Sequence, residues 1–336
     1  MTDNPTQPGG PWQTHDVPCD YCGSEAVDVV CTVPDRKHGL PGRFNVVVCR
    51  TCGLARTNPQ PTPESLGTAY PKSYGPHQGR PHAKAPRGFL RWALVNYRGY
   101  PLGRRAPAPV RWLMRPAAGL TLGRRRVLGY LPYEGGGRLL DFGCGTGTYV
   151  ARMAAAGWQA EGIDLGAEAV RLGREAGLVI HQGTLPGADL PPESFDAVTL
   201  WASIEHLPSP MATLGAIRAV LRPGGRLLVS CPSFDSLSSV WFGSAWYGLD
   251  DVPRHLTHFT PGTLRQVLAK AGFEVERVWS VRRPGFIRRT FAQLADERGR
   301  AIYRWLARSR FIVGLVSLVG LLARRADEMV VVARRT

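Results

Sequence analysis

This chain of 336 residues lacks an apolar segment long enough to cross a membrane as a single helix. The longest candidate, residues 311–322 (FIVGLVSLVGLL), contains 12 residues, whereas one span takes roughly 20. The first ten residues are polar and rich in proline, unlike the apolar region of a secretory signal. The 7 cysteines are therefore expected to stay reduced, because disulfides are rare in the cytosol. These absences argue against an integral membrane protein and a secreted one, and we expect a cytoplasmic location.

Acidic residues are missing from residues 65–133, which contain 13 Lys or Arg. Residues 282–336 contain 13 Arg and only 4 acids, so two basic arms flank a mildly acidic middle. The chain as a whole has 42 Lys or Arg and 26 Asp or Glu, a formal net charge of +16. Such surfaces attract polyanions, which are either nucleic acid or an anionic membrane face.

Two CxxC pairs, each followed by glycine, stand out near the amino terminus (CDYCG and CRTCG). Thiolates three positions apart on a tight turn reach one metal ion, and two such turns complete a tetrahedral zinc site. Four thiolates leave no open position, so we expect a structural zinc rather than a catalytic one. A β-hairpin over residues 27–48 is expected to fill the gap between the pairs, with Cys31 as a spare core thiol. The expected ligands are Cys19, Cys22, Cys49 and Cys52.

The most informative segment is residues 139–149, LLDFGCGTGTY, in which an apolar strand ends in an acid and alternating glycines. Glycine accepts positive φ and has no Cβ, so a ligand can approach the bare backbone of such a turn. Dinucleotide sites favour GxGxxG with a pyrophosphate on the helix N-terminus. Here Gly143, Gly145 and Gly147 form GxGxG, a spacing that favours a ligand without phosphates.

The motif DFGCGTG resembles the first motif of the class I methyltransferases that use S-adenosylmethionine. The following segments alternate between strand and helix patterns, which predicts an α/β fold with a doubly wound, Rossmann-like sheet. In that family the sheet has six parallel strands and one antiparallel strand, and the last two strands in the chain are neighbours. Predicted strands lie at residues 158–164, 178–181, 195–200, 226–231, 273–280 and 327–335, with a helix at 211–221 and a turn at 222–225.

The resemblance assigns cofactor contacts to residues that follow the predicted strands. Asp164 ends the second strand, where a carboxylate accepts hydrogen bonds from both ribose hydroxyls. The family usually places adenine contacts after the third strand, here at Gly183, Thr184 and Leu185. The other residues that the resemblance implies as cofactor-binding are Asp141, Gly143, Cys144, Gly145, Thr146, Gly147, Leu165 and Trp201.

The acceptor of the methyl group is expected beyond the carboxyl ends of the fourth and fifth strands. Glu205 and His206 lie there in WASIEHLP, and the long loop of residues 233–260 adds His255 and His258. An imidazole with a pKa near neutrality suits proton removal from a hydroxyl or an acidic carbon. His206 matches the EH that the family often carries at the base of the acceptor site, so it is the first candidate for a general base, with His255 and His258 as alternatives.

We expect four segments along the chain. They are a zinc ribbon over residues 1–64, a basic amphipathic helical linker over 65–133, the S-adenosylmethionine-binding core over 134–281, and a basic and apolar helical insert with the final antiparallel strand over 282–336. Arginines flank the apolar run 311–322, as in helices that lie on a membrane interface. We expect peripheral contact with an anionic membrane on its inner face, and packing of this run on the core or in a dimer seam is the alternative.

The cysteine turns together with WYGLDDVPRH in the long loop resemble small-molecule methyltransferases encoded with polysaccharide and glycolipid pathways. This resemblance implies a small-molecule, sugar, glycan or lipid-linked acceptor. The alternative is a ribosomal or other RNA methyltransferase, with the zinc module and basic arms on RNA. Enzymes that methylate base amino groups usually show an NPPY-like turn after strand four, where this chain has WASI. A non-catalytic module with a relic cofactor site is a further alternative.

Overall fold

A small antiparallel sheet and two short strands form the amino-terminal part of the chain. The computed structural model describes residues 13–67, 70, 78–123 and 129–336. The hairpin predicted between the two cysteine pairs is confirmed, since its strands pair from Val27 opposite Cys49 to Pro34 opposite Arg43. The elements are β1 (Thr14–His15), β2 (Val27–Pro34), β3 (Arg43–Cys49), β4 (Ala55–Thr57), β5 (Gln60–Pro61) and the one-turn helix α1 (Pro63–Leu66).

Two amphipathic helices, as the sequence predicts, follow in the basic linker: α2 (Gly88–Arg98) and α3 (Ala108–Leu122). Asn96 ties the end of α2 to the connection, because its side-chain oxygen accepts a 2.7 Å hydrogen bond from the Ala106 amide. The buried faces of both helices pack with residues of the central sheet. The basic linker therefore covers part of one face of that sheet.

The middle of the chain alternates between strands and helices, except that β9 follows β8 without a helix between them. The predicted helix opening at Thr148 and the predicted strands over 158–231 are present, with bounds that differ by a few residues. The turn RPGG, residues 222–225, is drawn into the long fifth strand, where the register shifts between Leu221 and Arg226. The elements are β6 (Arg138–Phe142), α4 (Thr148–Ala154), β7 (Gln159–Asp164), α5 (Ala167–Glu175), β8 (Val179–Gln182), β9 (Phe195–Trp201), α6 (Pro210–Val220) and β10 (Leu221–Pro232).

The long loop of residues 233–260, called the lid below, contains α7 (Leu237–Phe242) and the two-residue strand β11 (Thr257–His258). β11 pairs with β4, so the lid joins a four-stranded sheet in the order β11-β4-β3-β2. Arg254 of the lid is fully buried and donates hydrogen bonds of 2.6 and 3.0 Å to the carboxylate of Asp35. The cysteine module is therefore built onto the lid.

The carboxyl-terminal part adds a helical insert between the last two strands of the central sheet. On the part of the chain that the structure describes, no single helix has the length and hydropathy to cross a bilayer, although α10 and α11 together do and are bent by 78°. The elements are α8 (Pro261–Lys270), β12 (Phe273–Val281), α9 (Pro284–Arg298), α10 (Ala301–Arg308), α11 (Arg310–Leu322) and β13 (Glu328–Arg335).

The central sheet has seven strands in the order β12-β13-β10-β9-β6-β7-β8. β13 runs antiparallel to both neighbours, while the other pairings are parallel. The predicted fold class, six parallel strands and one antiparallel strand with the last two adjacent, is confirmed. The strand order reverses between β6 and β9, and open α/β sheets bind ligands at the carboxyl ends of the strands at such a point.

Both faces of this sheet are buried, because successive side chains on a strand point to opposite faces. Leu139 of β6 packs in the cluster that includes α2 and α3, whereas Leu140 packs in the cluster that includes α6 and α8. Leu228 and Leu227 of β10 divide in the same way. A sheet covered on both faces leaves only its strand ends open to a ligand.

Candidate active site

The loop between β6 and α4 adopts the open conformation that its glycines predict. Gly143, Gly145 and Gly147 all have positive φ, at 69°, 56° and 89°. A Cβ at position 143 would lie 2.5 Å from the Ser203 hydroxyl oxygen, closer than real Cβ atoms approach. Any side chain at Gly143 would therefore strain the backbone and collide with the segment that follows β9.

A cleft of about 710 Å³ opens over this loop. Its size is within the range of pockets that enclose small ligands and cofactors. The wall combines backbone of the glycine loop with the side chains of Asp141 at the end of β6 and Trp201 at the end of β9. The residues that were predicted to bind the cofactor and that line this cleft are Asp141, Gly143, Cys144, Gly145, Thr146 and Trp201.

Asp164, the predicted ribose ligand, holds the glycine loop against the end of β7. Its two carboxylate oxygens accept hydrogen bonds of 2.8 Å from the amides of Gly145 and Gly166. A carboxylate oxygen accepts more than one hydrogen bond, so support of the loop and contact with a ligand are compatible. Leu165 beside it is 70% exposed.

The segment predicted to contact adenine lies at the end of β8. The Gly183 amide donates a 2.9 Å hydrogen bond to the carbonyl of Asp164, which places the two predicted contact regions side by side. Leu185 packs its side chain in the hydrophobic core, and its carbonyl accepts a hydrogen bond from Thr213. Among the described residues, the predicted cofactor contacts that do not line the 710 Å³ cleft are Gly147, Asp164, Leu165, Gly183, Thr184 and Leu185.

Asp141 is buried at the floor of the cleft. Its carboxylate accepts a 2.6 Å hydrogen bond from the Thr199 hydroxyl on the neighbouring strand β9. Burial raises the pKa of Asp141 to about 7, and the bond from Thr199 only partly opposes this rise. A ligand that brings a hydrogen-bond donor or a positive charge would stabilise the ionised form.

Basic side chains that sequence reasoning missed also reach the cleft. Arg152 of α4 lies 4.9 Å from the ring centre of Tyr149, and its Nε has no hydrogen-bond partner within the described part of the chain. Lys84 and His82 come from the segment before α2 and line the same cleft. A segment of the basic linker therefore forms one wall of the site, and only its excess of positive charge pointed to such a role.

The four residues predicted for the acceptor side come together in one group, called the cluster under the lid. Its members are Glu205, His206, His255 and His258. A short 3-10 helix, Ile204–His206, carries Glu205 and His206 beyond the end of β9. The rings of His206 and His255 lie 4.6 Å apart between centroids, and those of His255 and His258 lie 6.5 Å apart. The structure thus places residues from two distant parts of the sequence in one buried cluster.

Hydrogen bonds fix the protonation of two of these rings. The Thr57 hydroxyl donates to the carbonyl of His255 (2.7 Å), so His258 Nε2, which lies 3.1 Å from Thr57, must be the donor in that contact. His255 Nδ1 lies 3.3 Å from the Gly248 carbonyl, and a carbonyl only accepts. His206 Nδ1 lies 3.1 Å from the Tyr70 hydroxyl, a partner that no sequence motif indicated.

Burial dominates the ionisation of the cluster. It lowers the pKa of His206 to about 4 and that of His258 to about 3, and it lowers the pKa of His255 well below the usual value. Burial raises the pKa of Glu205 to about 8. The three imidazoles are therefore neutral at neutral pH, and each has a lone pair available for a proton or a metal ion.

The four cysteines of the two CxxC turns also meet in space. Cys19 Sγ and Cys52 Sγ lie 3.5 Å apart, as do Cys22 Sγ and Cys49 Sγ, and all four sulfur atoms lie within 4.8 Å of one another. Zinc–sulfur bonds of about 2.3 Å in a tetrahedron place sulfur atoms about 3.8 Å apart, so the set fits a zinc ion.

Residues 119–278 match the family model described as a methyltransferase domain. This segment is a methyltransferase domain. A relative from Xanthomonas axonopodis pv. citri (strain 306), named ubiquinone biosynthesis O-methyltransferase, is 35% identical over 158 residues, which cover 43% of this chain and 65% of that protein. A relative of the same name from Aeromonas salmonicida (strain A449) is 31% identical over 147 residues, or 42% of this chain and 56% of that protein. The chain thus spans less than two thirds of the length of these relatives.

Solved structures of two methyltransferases are similar to part of this chain. A SAM-dependent methyltransferase from Archaeoglobus fulgidus is 17% identical, with a TM-score of 0.45 over 68% of this chain and 100% of that chain. An S-adenosylmethionine-dependent methyltransferase from Mesorhizobium loti is 21% identical, with a TM-score of 0.42 over 61% of this chain and 94% of that chain. The predicted resemblance to the class I methyltransferases is confirmed by the match of residues 119–278 to the methyltransferase domain family.

The methyltransferase domain includes the glycine loop, Asp164 and all four residues of the cluster under the lid. Parts outside the matched segment complete both sites: Tyr70 and Thr57 contact the cluster, and Lys84 lines the cleft. These contacts join residues far apart in the chain, so motif spacing carried no signal for them.

Proposed function

We propose that this protein transfers the methyl group of S-adenosylmethionine to a small-molecule acceptor. The observation that carries the proposal is the cleft of bare, positive-φ glycine backbone at the switch point of the sheet, with Asp164 fixed beside it. The relatives named ubiquinone biosynthesis O-methyltransferase favour an oxygen atom on a small molecule as the acceptor. A sugar, glycan or lipid-linked acceptor falls in the same class.

Each part of the cofactor has a proposed partner. Asp164 accepts from the ribose hydroxyls, and Gly183, Thr184 and Leu165 flank the adenine. Arg152 and Lys84 supply positive charge for the methionine carboxylate, because the Arg152 Nε lies buried without a partner among the described residues. Methyl transfer itself is an in-line displacement, so alignment of acceptor and methyl group supplies much of the rate.

The cluster under the lid serves the acceptor. We propose that a neutral imidazole takes the acceptor proton, with His206 first and His255 or His258 as alternatives. Neutral rings have the lone pair that a base needs, although a pKa near 4 makes His206 a weak base at neutral pH. Glu205, whose pKa is raised by burial, stays largely protonated at neutral pH.

The four-cysteine set is proposed to hold a structural zinc ion. Its role follows from its position, since β3 and β4, on either side of the second CxxC turn, belong to the same sheet as the lid strand β11. The ion would hold the two CxxC turns together, and no thiolate would be left for chemistry. Metal analysis of the purified chain should find zinc that the Cys22→Ser variant loses, and a wild-type chain that retains no zinc at this set would refute the role.

An anionic membrane on the cytoplasmic side is the proposed docking surface of the insert. On α11, Val313, Ser317 and Gly320 are buried, while another face exposes Phe311, Leu315, Leu318 and Leu322. These exposed residues recur at helical spacing, as on one apolar stripe. The basic side chains that flank this stripe in sequence are Arg308, Arg310, Arg324 and Arg325, and they complement anionic headgroups.

Calorimetry with S-adenosylhomocysteine, followed by labelled-methyl transfer to lipid, small-molecule, glycan and RNA pools of the native cell, tests the proposal. We expect binding of the cofactor product and label in a small-molecule or lipid-linked fraction. The His206→Asn variant should keep cofactor binding and lose turnover, whereas His181→Asn, away from the cluster, should change neither strongly. Absence of binding would refute the enzyme, and label only in RNA would refute the acceptor class.

A further inference from the structure

A buried carboxylate without a partner lies at the centre of the cluster under the lid. Glu205 is 2% exposed, and neither of its carboxylate oxygens has a hydrogen-bond partner in the described part of the chain. Buried polar groups are nearly always paired, and an unpaired one costs free energy. A positively charged ligand at this position would remove that cost.

We propose that Glu205, His206 and His255 bind a divalent transition-metal ion, at a site separate from the four cysteines. One ligand atom from each of the three residues lies within 4.8 Å of the others. In a metal site with bonds of about 2.0–2.2 Å, the ligand atoms lie up to about 4.3 Å apart. The three side chains would need to move by only a few tenths of an ångström to reach that separation. Two imidazoles and one carboxylate are a ligand set that iron, zinc, manganese and related ions use.

The orientation of His255 supports this role. Its Nδ1 donates to the Gly248 carbonyl, so the lone pair is on Nε2. A metal-binding histidine usually donates its other ring N–H to a carbonyl or carboxylate in this way, which fixes both the tautomer and the ring. His206 has the Tyr70 hydroxyl beside its Nδ1 in a similar arrangement.

A small void adjoins two of the three proposed ligands. It measures about 10 Å³ and is lined by Glu205 and His255 but not by His206; its other lining residues are Pro232, Phe234, Trp246, Thr257 and His258. That volume is near the smallest space that holds one water molecule.

The charged side chains around the cluster do not oppose the binding of a cation. Asp251 lies 3.9 Å from His255 Nε2 and forms ion pairs with Lys37 and Arg254, and Arg254 also pairs with Asp35. With Glu205 ionised, three carboxylates face two basic groups, which gives a local charge of −1. The positive side chains are therefore already neutralised and do not prevent binding of an ion.

Such an ion would connect the end of β9 to the lid and would have coordination positions free for an acceptor oxygen. It would occupy the lone pairs of His206 and His255, so these residues act either as ligands or as bases and not as both at once. A metal-bound hydroxyl loses its proton more easily, which would replace the base. The metal site goes beyond the proposed methyl transfer and is tested without cofactor or acceptor.

The test is a titration of the zinc-loaded full chain with Mn²⁺, with free Mn²⁺ followed by electron paramagnetic resonance. Mn²⁺ prefers nitrogen and oxygen ligands, so the four thiolates do not compete for it. We expect one bound Mn²⁺ per chain, and affinity lower by about 100-fold in Glu205→Gln and His255→Asn. The matched control is His181→Asn, whose ring pairs with Glu161 at β7 and β8, and it should bind as the wild type does.

If a variant folds poorly, thermal unfolding with and without Mn²⁺ provides a second measurement of binding. Mn²⁺ should raise the melting temperature of the wild type and of His181→Asn, and not that of His255→Asn. The proposal is overturned if the wild type binds no Mn²⁺, or if Glu205→Gln and His255→Asn bind it as tightly as the wild type. Either result leaves the cofactor-binding measurement unaffected, so the two proposals fail independently.

Discussion

At the scale of single residues, Gly143 combines an obligatory backbone conformation with a close neighbour. Its φ of 69° disfavours other residues, and a Cβ would meet the Ser203 hydroxyl at 2.5 Å. We expect Gly143→Ala to weaken S-adenosylhomocysteine binding at least about tenfold, since strain of this kind costs about 1–3 kcal/mol. Calorimetry measures the effect, and Gly215→Ala, in a helix with open space around the glycine, is the matched control. Equal affinities of Gly143→Ala and the wild type would show that the loop is not the binding site.

His258 predicts a pH dependence of stability whose sign follows from its lowered pKa. Between pH 6.5 and about 3 the unfolded chain binds a proton at this ring and the folded chain does not, so stability falls as the pH falls through this window. Glu205 and Asp141, whose pKa values are raised, change the stability in the opposite direction. They do so equally in the wild type and in a variant at position 258.

The comparison is between the wild type and His258→Asn, by urea unfolding at pH 7 and pH 5. The difference in unfolding free energy between the two proteins should shift by about 2 kcal/mol in favour of the variant at pH 5. A constant difference would mean that the pKa of His258 is not lowered in the folded protein. His181→Asn, a partly exposed ring paired with Glu161, provides the comparison for loss of any histidine.

Residue types and spacing predicted the glycine loop, the four cysteines and the three histidines. They did not predict Tyr70, Arg152 or Asp251, because these act through contacts across the fold rather than through a local pattern. The role of Asp164 was predicted from its place after a strand, and its support of the Gly145 amide became visible only in three dimensions.

At the scale of elements, the junction between the cysteine module and the lid depends on a buried ion pair. Arg254 is fully buried and donates two hydrogen bonds to Asp35. Asp35→Asn removes one of the two carboxylates that pair with Arg254 and leaves only Asp251, which also pairs with Lys37, so it should lower the free energy of unfolding by about 3 kcal/mol. Glu297→Gln, which breaks the more exposed pair with Arg36, should cost less than about 1 kcal/mol.

Chemical denaturation of both variants checks this prediction, with limited proteolysis of residues 233–260 as a local probe. Faster cleavage of the lid in Asp35→Asn alone would show that the ion pair holds the lid in place. Similar stability of the two variants would contradict a structural role for the pair.

Strand and helix order in the core was predictable, because apolar strands alternated with helices and were punctuated by proline and glycine. The pairing of β11 with β4 was not, because a two-residue strand has no periodicity to detect. For this reason the sequence suggested an appended zinc module, whereas the structure shows a sheet shared with the lid. The segment WYGLDDVPRH indicated the lid from sequence, but only the fold shows that its arginine, Arg254, pairs with Asp35.

At the scale of the whole molecule, the two basic arms of the chain bear on which partner the protein binds. Their charge predicted a polyanionic partner, which is either nucleic acid or an anionic membrane. The exposed apolar stripe on α11 favours a membrane over nucleic acid, since phosphate contacts do not need exposed leucines.

Membrane binding through α11 is testable by flotation with vesicles that contain anionic lipid. Phe311 is 78% exposed and Leu322 is 75% exposed, and burial of such side chains is worth about 1.5–3 kcal/mol each. The double variant Phe311→Gln with Leu322→Gln should therefore lower the vesicle-bound fraction at least about tenfold. Val29→Gln with Val30→Gln replaces two exposed apolar side chains on β2, far along the chain, and should float like the wild type. Higher salt should weaken binding, because headgroup attraction by Arg is screened. Equal flotation of both double variants would contradict docking through α11 and favour an interface with protein instead.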